Sequence, residues 1–192
     1  MGSFMSRKYA SIYGDELDGV IFLGTGNQPK AVVDSGLKLA HIAKFVRGER
    51  YRSELLNTIM FGAYNKRIKD NRTANDWLTK DTKIVDEYLS DPKCSYKFTA
   101  NAYIGFLNVI KYDIDKKNIA KTPDKLPVLF ASGLEDPVGD YGKGVKKAFK
   151  MYTKYVDNVE LYLYEDDRHE LHSETDREDI FSDLYEWIEE NV

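Results

Sequence analysis

An α/β fold with a parallel, doubly wound sheet is predicted by three short apolar runs, by the helical spacing between them, and by where glycine falls. Gly19-Val-Ile-Phe-Leu-Gly24, Leu126-Pro-Val-Leu-Phe-Ala131 and Val159-Glu-Leu-Tyr-Leu-Tyr164 each have strand length and strand composition. The first ends in glycines and reads as a strand buried on both faces. Helical patterns separate the runs, and strands alternating with helices pack as a parallel sheet.

The elements follow in order. Residues 3–13 read as a helix, with Phe4, Tyr9, Ile12 and Tyr13 near helical spacing. Gly14 is its expected stop, because glycine accepts a left-handed conformation there. Between about 29 and 115 the apolar residues recur at helical spacing: Val33, Leu37, Leu39, Ile42, Ala43 and Val46, then Leu55, Leu56 and Ile59, then Ile84, Val85, Tyr88 and Leu89. This stretch reads as a helical insertion. A lysine-rich helix is expected over 141–155. The closing helix, 176–190, presents Ile180, Leu184, Trp187 and Ile188 on one face. Thr175 is its predicted N-cap, with Glu178 completing a capping box.

Bulk properties exclude several functions. With 192 residues and 42% hydrophobic content, the chain can build one domain with a core. Its net charge of −4, with both signs evenly mixed, gives no electrostatic basis for nucleic-acid binding. No apolar stretch has the roughly 18 residues of a transmembrane segment, and the N-terminus lacks a signal-peptide layout. Cys94 is the single cysteine, which excludes an internal disulfide and a thiolate metal cluster. A cytoplasmic location, with no cofactor and no metal, is the expectation. Gly24-Thr-Gly26 lacks the rest of a dinucleotide fingerprint. His41 reads as a packing or surface residue, and His172 with its neighbouring acids as a solvated loop. The basic run Arg47, Arg50, Arg52 reads as a solvated face, or as a site for an anionic lipid surface or headgroup.

Two residues with catalytic potential follow strands. Asp136 lies in the loop after 126–131, and His169 in the loop after 159–164. In an open parallel sheet, ligands bind beyond the C-terminal strand ends. Adjacent strands would bring the carboxylate onto one imidazole nitrogen, leaving the other free as a general base. Taken singly, each is more often a turn or surface residue; their order and placement favour the pair.

The segment Leu126-Pro-Val-Leu-Phe-Ala-Ser-Gly-Leu-Glu-Asp-Pro-Val-Gly-Asp-Tyr-Gly142 resembles the acid-bearing segment of the α/β-hydrolases. The likeness is to their lysophospholipase and monoacylglycerol-lipase branch. Arg168-His169-Glu170 resembles the family's histidine loop, and Asn75-Asp-Trp-Leu78 and Asp91-Pro-Lys-Cys94 are similar to segments of its cap. The resemblance implies a C-terminal part of the hydrolase fold. Residues 1–28 and 116–192 would form a partial core of about three parallel strands, and 29–115 a helical cap. It makes Asp136 the triad acid and His169 the base. Phe45, Phe61, Trp77 and Phe106 become candidates to line an acyl pocket.

The family's nucleophile occupies Gly-x-Ser-x-Gly on a strand-to-helix turn. No such pentapeptide occurs in the sequence. Met1-Gly2 is similar to the tail of that elbow, which places the serine just before Met1 and gives the oxyanion-binding backbone N–H to Met1. The implied function is part of a serine ester hydrolase acting on lipid-like esters, inactive alone without its nucleophile. Ser3 and Ser132 lack the elbow's flanking pattern and read as a cap and a turn serine. An iminopeptidase-like peptidase fragment is the alternative within the enzymes. A non-catalytic relic or binding module is the alternative outside them. Strand 19–24 is expected to leave an exposed apolar edge through which the chain self-associates.

Overall fold

Val20–Leu23 (β1), Val128–Gly133 (β2) and Val159–Tyr164 (β3) form one parallel sheet in the order β1-β2-β3 in a computed structural model. The structure describes residues 1–94 and 96–192. Val20 pairs with Val128, and Val128 with Val159, so the three strands start level; β2 and β3 also end level at Gly133 and Tyr164, two residues beyond the end of β1. The central strand β2 is buried at every position, while β1 and β3 are mostly half-buried. The expectation that 19–24 is buried on both faces therefore fails: β1 is an edge strand, and only Phe22 is fully covered.

Alternation along β2 assigns its two faces. Val128 and Phe130 join Phe22 and Val145, Ala148 and Tyr152 of α7 (Lys143–Tyr152), with Ala10 of α1 (Gly2–Tyr13). Ala131 turns the other way, toward Leu171 in a 3₁₀ turn (Leu171–Ser173) and toward Ile180 of α8 (Arg177–Asn191). Phe22, Phe130 and Tyr152 form an aromatic triad with ring centroids 5.2–5.8 Å apart. Each such pair is worth about 1 kcal/mol beyond its buried area.

The helical stretch contains α2 (Lys30–Arg47), α3 (Glu54–Phe61), α4 (Thr82–Ser90) and α5 (Ala100–Asp113). No strand occurs between β1 and β2 among the described residues. Side-chain caps start three of these helices: Ser53 accepts from the Leu56 N–H, Asp81 from Lys83 and Ile84, and Thr99 from Ala102. Val33, Leu37 and Ala40 of α2 pack with Tyr103, Ile104, Leu107 and Ile110 of α5 in a second core, which also takes in Phe4 and Val138. A short helix, α6 (Lys116–Ile119), leads back to the sheet.

Two predicted termini differ. Gly14 is right-handed (φ −61°), and the chain continues into a 3₁₀ turn over Gly14–Glu16. Glycine is needed there for space: a Cβ would meet the Pro123 ring at 2.4 Å. Thr175 does not cap α8. The cap position is Asp176, and no side chain closes it, because Glu174 already turns the chain by accepting from the Arg177 N–H. On α8, Ile180 and Trp187 are buried as expected, whereas Ile188 is exposed.

Arg7 is buried and ties α1 to both cores. Its guanidinium donates to the Gly26 carbonyl (2.8 Å), the Thr25 hydroxyl (3.4 Å) and the Asp113 carbonyl (2.9 Å). The Asp113 carboxyl has no hydrogen-bond partner. Burial pushes its pKa up to about 7, against the attraction of Arg7 and Lys8. Because the folded state prefers the protonated form, the stability it contributes is full below its ordinary pKa near 4. That stability is lost as pH rises through about 7. Asp113→Asn is expected to add about 1–3 kcal/mol to stability near pH 8 and almost nothing near pH 4, as read by thermal melts.

Candidate active site

Asp136 and His169 meet at the C-terminal end of the sheet. His169 Nδ1 lies 3.1 Å from Asp136 Oδ2, with the Asp136 side chain fully buried and that of His169 15% exposed. The other carboxylate oxygen, Oδ1, accepts from the Val138 N–H at 2.8 Å. Both oxygens of Asp136 are thus committed, one to holding its own loop and one to the imidazole. An anion hydrogen-bonded to Nδ1 favours the tautomer with the proton there and leaves Nε2 as an acceptor.

The backbone explains why the loops can approach so closely. Leu134 N–H donates to the Tyr164 carbonyl, and Glu135 N–H to the Asp167 carbonyl. At Gly133 a Cβ would fall 2.0 Å from the Asp167 carbonyl oxygen, so only glycine lets the two loops touch. Asp140, Tyr141 and Gly142 then follow with φ of 48°, 53° and 83°. Two consecutive non-glycine residues in the left-handed region store strain. It is offset by hydrogen bonds from Tyr141 N–H to the Asp136 carbonyl and from Asp140 N–H to that of Pro137.

Segment 76–81 of the helical stretch is fastened to the histidine loop. His169 and Glu170 N–H donate to the Trp77 and Leu78 carbonyls, and the Arg168 guanidinium donates to those of Asp76 and Thr79. Glu174 is the buried post of this contact. It accepts from Arg168 N–H (2.7 Å), Lys80 N–H (2.9 Å) and the Thr79 hydroxyl (3.0 Å). Burial raises its pKa, against those hydrogen bonds. The Trp77 ring lies 5.1 Å from the imidazole, with Phe61 and Tyr64 packed behind it. Beside this post, oxygens of Asp167, Glu174 and Asp176 lie within 4.8 Å of one another, a donor set that suits a metal. The Lys80 ammonium is already there, 2.5 Å from Asp167 and 3.4 Å from Asp176, supplying the countercharge.

The start of α1 abuts the pair. The Met1 ammonium is pushed down in pKa by burial, against the attraction of Asp136 and Glu170. Ser3 Oγ reaches the Gly24 carbonyl at 3.5 Å, and Ser132, fully buried, donates to the Gly133 carbonyl. Among the described residues, no serine hydroxyl is hydrogen-bonded to His169. His41 and His172 are exposed and lie outside the site. Of the four aromatic pocket candidates, Trp77 stands by His169 with Phe61 stacked behind it, Phe106 packs edge-on to Phe4, and Phe45 is 91% exposed. The sequence did not point to Glu174 and Lys80; no local motif marks a carboxylate whose partners lie over ninety residues away.

A family model for the serine aminopeptidases (S33) matches residues 1–176. The chain belongs to that family of α/β-hydrolases. Its S33 fold is shared with a thermostable carboxyl esterase from Bacillus coagulans (TM-score 0.89, 24% identity) and with a lipase in an open form (TM-score 0.85, 27% identity). In both comparisons 98% of the chain is covered and 62% of the other protein. A monoglyceride lipase from Saccharomyces cerevisiae matches at TM-score 0.70 and 22% identity, over 99% of the chain and 59% of the enzyme. The S33 chain therefore spans less than two thirds of these structures. No curated protein sequence matches it. No helix among the described residues is long and apolar enough to cross a membrane.

Proposed function

We propose that these 192 residues supply the acid and base of a serine ester hydrolase of the lysophospholipase or monoacylglycerol-lipase type. The observation that carries the reading is the 3.1 Å contact between Asp136 and His169 at the ends of adjacent parallel strands. The nucleophilic serine lies outside these residues. His169 Nε2 takes its proton and returns it to the leaving group, and Asp136 holds the imidazole and stabilises its cation. The backbone N–H at Met1 helps hold the oxyanion. Residues 29–115 act as the cap over a core made of 1–28 and 116–192. The chemistry needs no metal or cofactor. An open edge at β1, half-buried in this chain, is the seat of self-association.

The chain by itself is expected to form no adduct with a fluorophosphonate probe and to turn over no ester, as read by intact mass and by acyl-glycerol hydrolysis. Joined to a segment ending in Gly-x-Ser ahead of Met1, it is expected to label and to hydrolyse. A stoichiometric adduct on a serine within the 192 residues would overturn the assignment of the nucleophile. Membership among serine aminopeptidases favours a second reading, hydrolysis of aminoacyl amides. Comparing acyl glycerols with aminoacyl amides on the joined protein separates the two.

A further inference from the structure

Four polar side chains are buried together where α1 packs against α5 and α6, and α6 against α7. Arg7 of α1, Asp113 at the end of α5, Thr122 just after α6 and Tyr152 of α7 are each 3% exposed or less. The Arg7 guanidinium lies 5.6 Å from the Tyr152 ring centroid. Burial raises the pKa of the Tyr152 phenol, against the nearby Arg7 charge, and Asp113 and Thr122 lie beside the same hydroxyl.

These groups do not satisfy one another. Arg7 spends Nη1 on Gly26 and Thr25, and Nη2 on the Asp113 carbonyl, which leaves Nε. Arg7 Nε, both carboxyl oxygens of Asp113 and Thr122 Oγ1 have no hydrogen-bond partner among the described residues. A buried polar group costs about 1–3 kcal/mol when nothing meets it, and native proteins leave few in that condition. Unmet groups gathered from three segments of the chain mark a place that receives a partner.

The chemistry of the set selects that partner. Arg7 Nε offers a donor, the Asp113 carboxylate offers acceptors, and the Thr122 and Tyr152 hydroxyls act as either. A cation would stand against the Arg7 charge, and an anion against the Asp113 carboxylate. A neutral molecule that both donates and accepts suits every member. Closure to solvent on all sides requires a small one. Water meets both conditions, and internal waters typically make about three hydrogen bonds to groups of this kind. It accepts from Arg7 Nε–H and donates to Asp113 and to a neighbouring hydroxyl.

We propose that Arg7, Asp113, Thr122 and Tyr152 form a binding site for one internal water, which links α1 and the end of α5 to the segment entering β2. The site does not depend on the roles given to Asp136 and His169. A high-resolution crystal structure of the 192-residue chain reads it directly. The expected result is one water within about 2.7–3.2 Å of Arg7 Nε, of an Asp113 carboxyl oxygen and of the Thr122 or Tyr152 hydroxyl. In solution, oxygen-17 relaxation dispersion counts the waters that stay bound long enough to tumble with the protein. Thr122→Val with Tyr152→Phe keeps both shapes, removes both hydroxyls, and is expected to lower that count by one. Unchanged circular dichroism shows that the variant folds. An Arg7 side chain paired directly with the Asp113 carboxylate, with no water at these distances, overturns the proposal. So does an equal count in the variant. A bound species with several oxygen contacts near 2.4 Å overturns it in favour of a cation.

Discussion

Replacing Asp136 by Asn, in the protein joined to the Gly-x-Ser segment proposed above, is expected to lower kcat by roughly 10⁴ while KM changes little. The loss arises from the proton and not from the fold. The Val138 N–H needs only a carbonyl-type acceptor at the Oδ1 position, which asparagine retains. At the other oxygen, 3.1 Å from His169 Nδ1, an amide group would present N–H donors to that nitrogen. The imidazole would then carry its proton on Nε2 and could no longer accept one from a serine. Melting temperature should change far less than kcat. A fall of less than about tenfold would show that Asp136 does not set the tautomer of His169.

Glu174→Ala is expected to cost about 3–5 kcal/mol of stability, the largest single loss outside the aromatic cores. The change leaves the N–H groups of Arg168 and Lys80 without their acceptor, in a place closed to solvent, while the Thr79 hydroxyl keeps its bond to the Ser173 carbonyl. It also leaves the Lys80 ammonium with only Asp167 and Asp176 beside it. Glu174→Gln keeps one carbonyl acceptor but turns an amide N–H₂ toward groups that are themselves donors, so an intermediate loss is expected. Urea and thermal unfolding measure both. A loss below about 1 kcal/mol for the alanine variant would mean that the histidine loop is held mainly by its backbone contacts to Trp77 and Leu78.

These two residues also mark what a sequence makes legible. The run 159–164 matches β3 to the residue and 19–24 exceeds β1 by one at each end, whereas 126–131 lies two residues ahead of β2, because Ser132 and Gly133 continue the buried strand without being apolar. Asp136 and His169 stood out because each follows such a stretch, and the level ends of β2 and β3 bring their loops together. Glu174 did not stand out, since its partners at Thr79 and Lys80 are remote in sequence and nothing local distinguishes it from the acids around it. Phe45 was misplaced for a related reason. Helical spacing puts it beside the apolar positions of α2, but not on the face that turns toward α5. Thr175 and Gly14 were misread because the chain turns at those points for tertiary reasons, the Glu174 carbonyl in one case and the Pro123 ring in the other.

The register of the sheet has a consequence for how the molecule comes to exist. Val20 of β1 finds its partner at Val128, so the first strand pair cannot form until the whole helical stretch between them has been made and gathered in. Closing so long a loop costs conformational entropy before any ladder hydrogen bond repays it. Val128 and Val159 are only 31 residues apart, nearer in sequence than any residue of α2 is to α5, so β2 and β3 have the shorter route and can pair while β1 still waits. Asp136 and His169 can therefore come together before the sheet is complete, since they need only β2 and β3 in register. In hydrogen exchange this order would be seen in reverse. The amides that join β2 to β3 should outlast those that join β1 to β2, and the lifetime of the Asp136–His169 contact should be set by that of the β2–β3 pair.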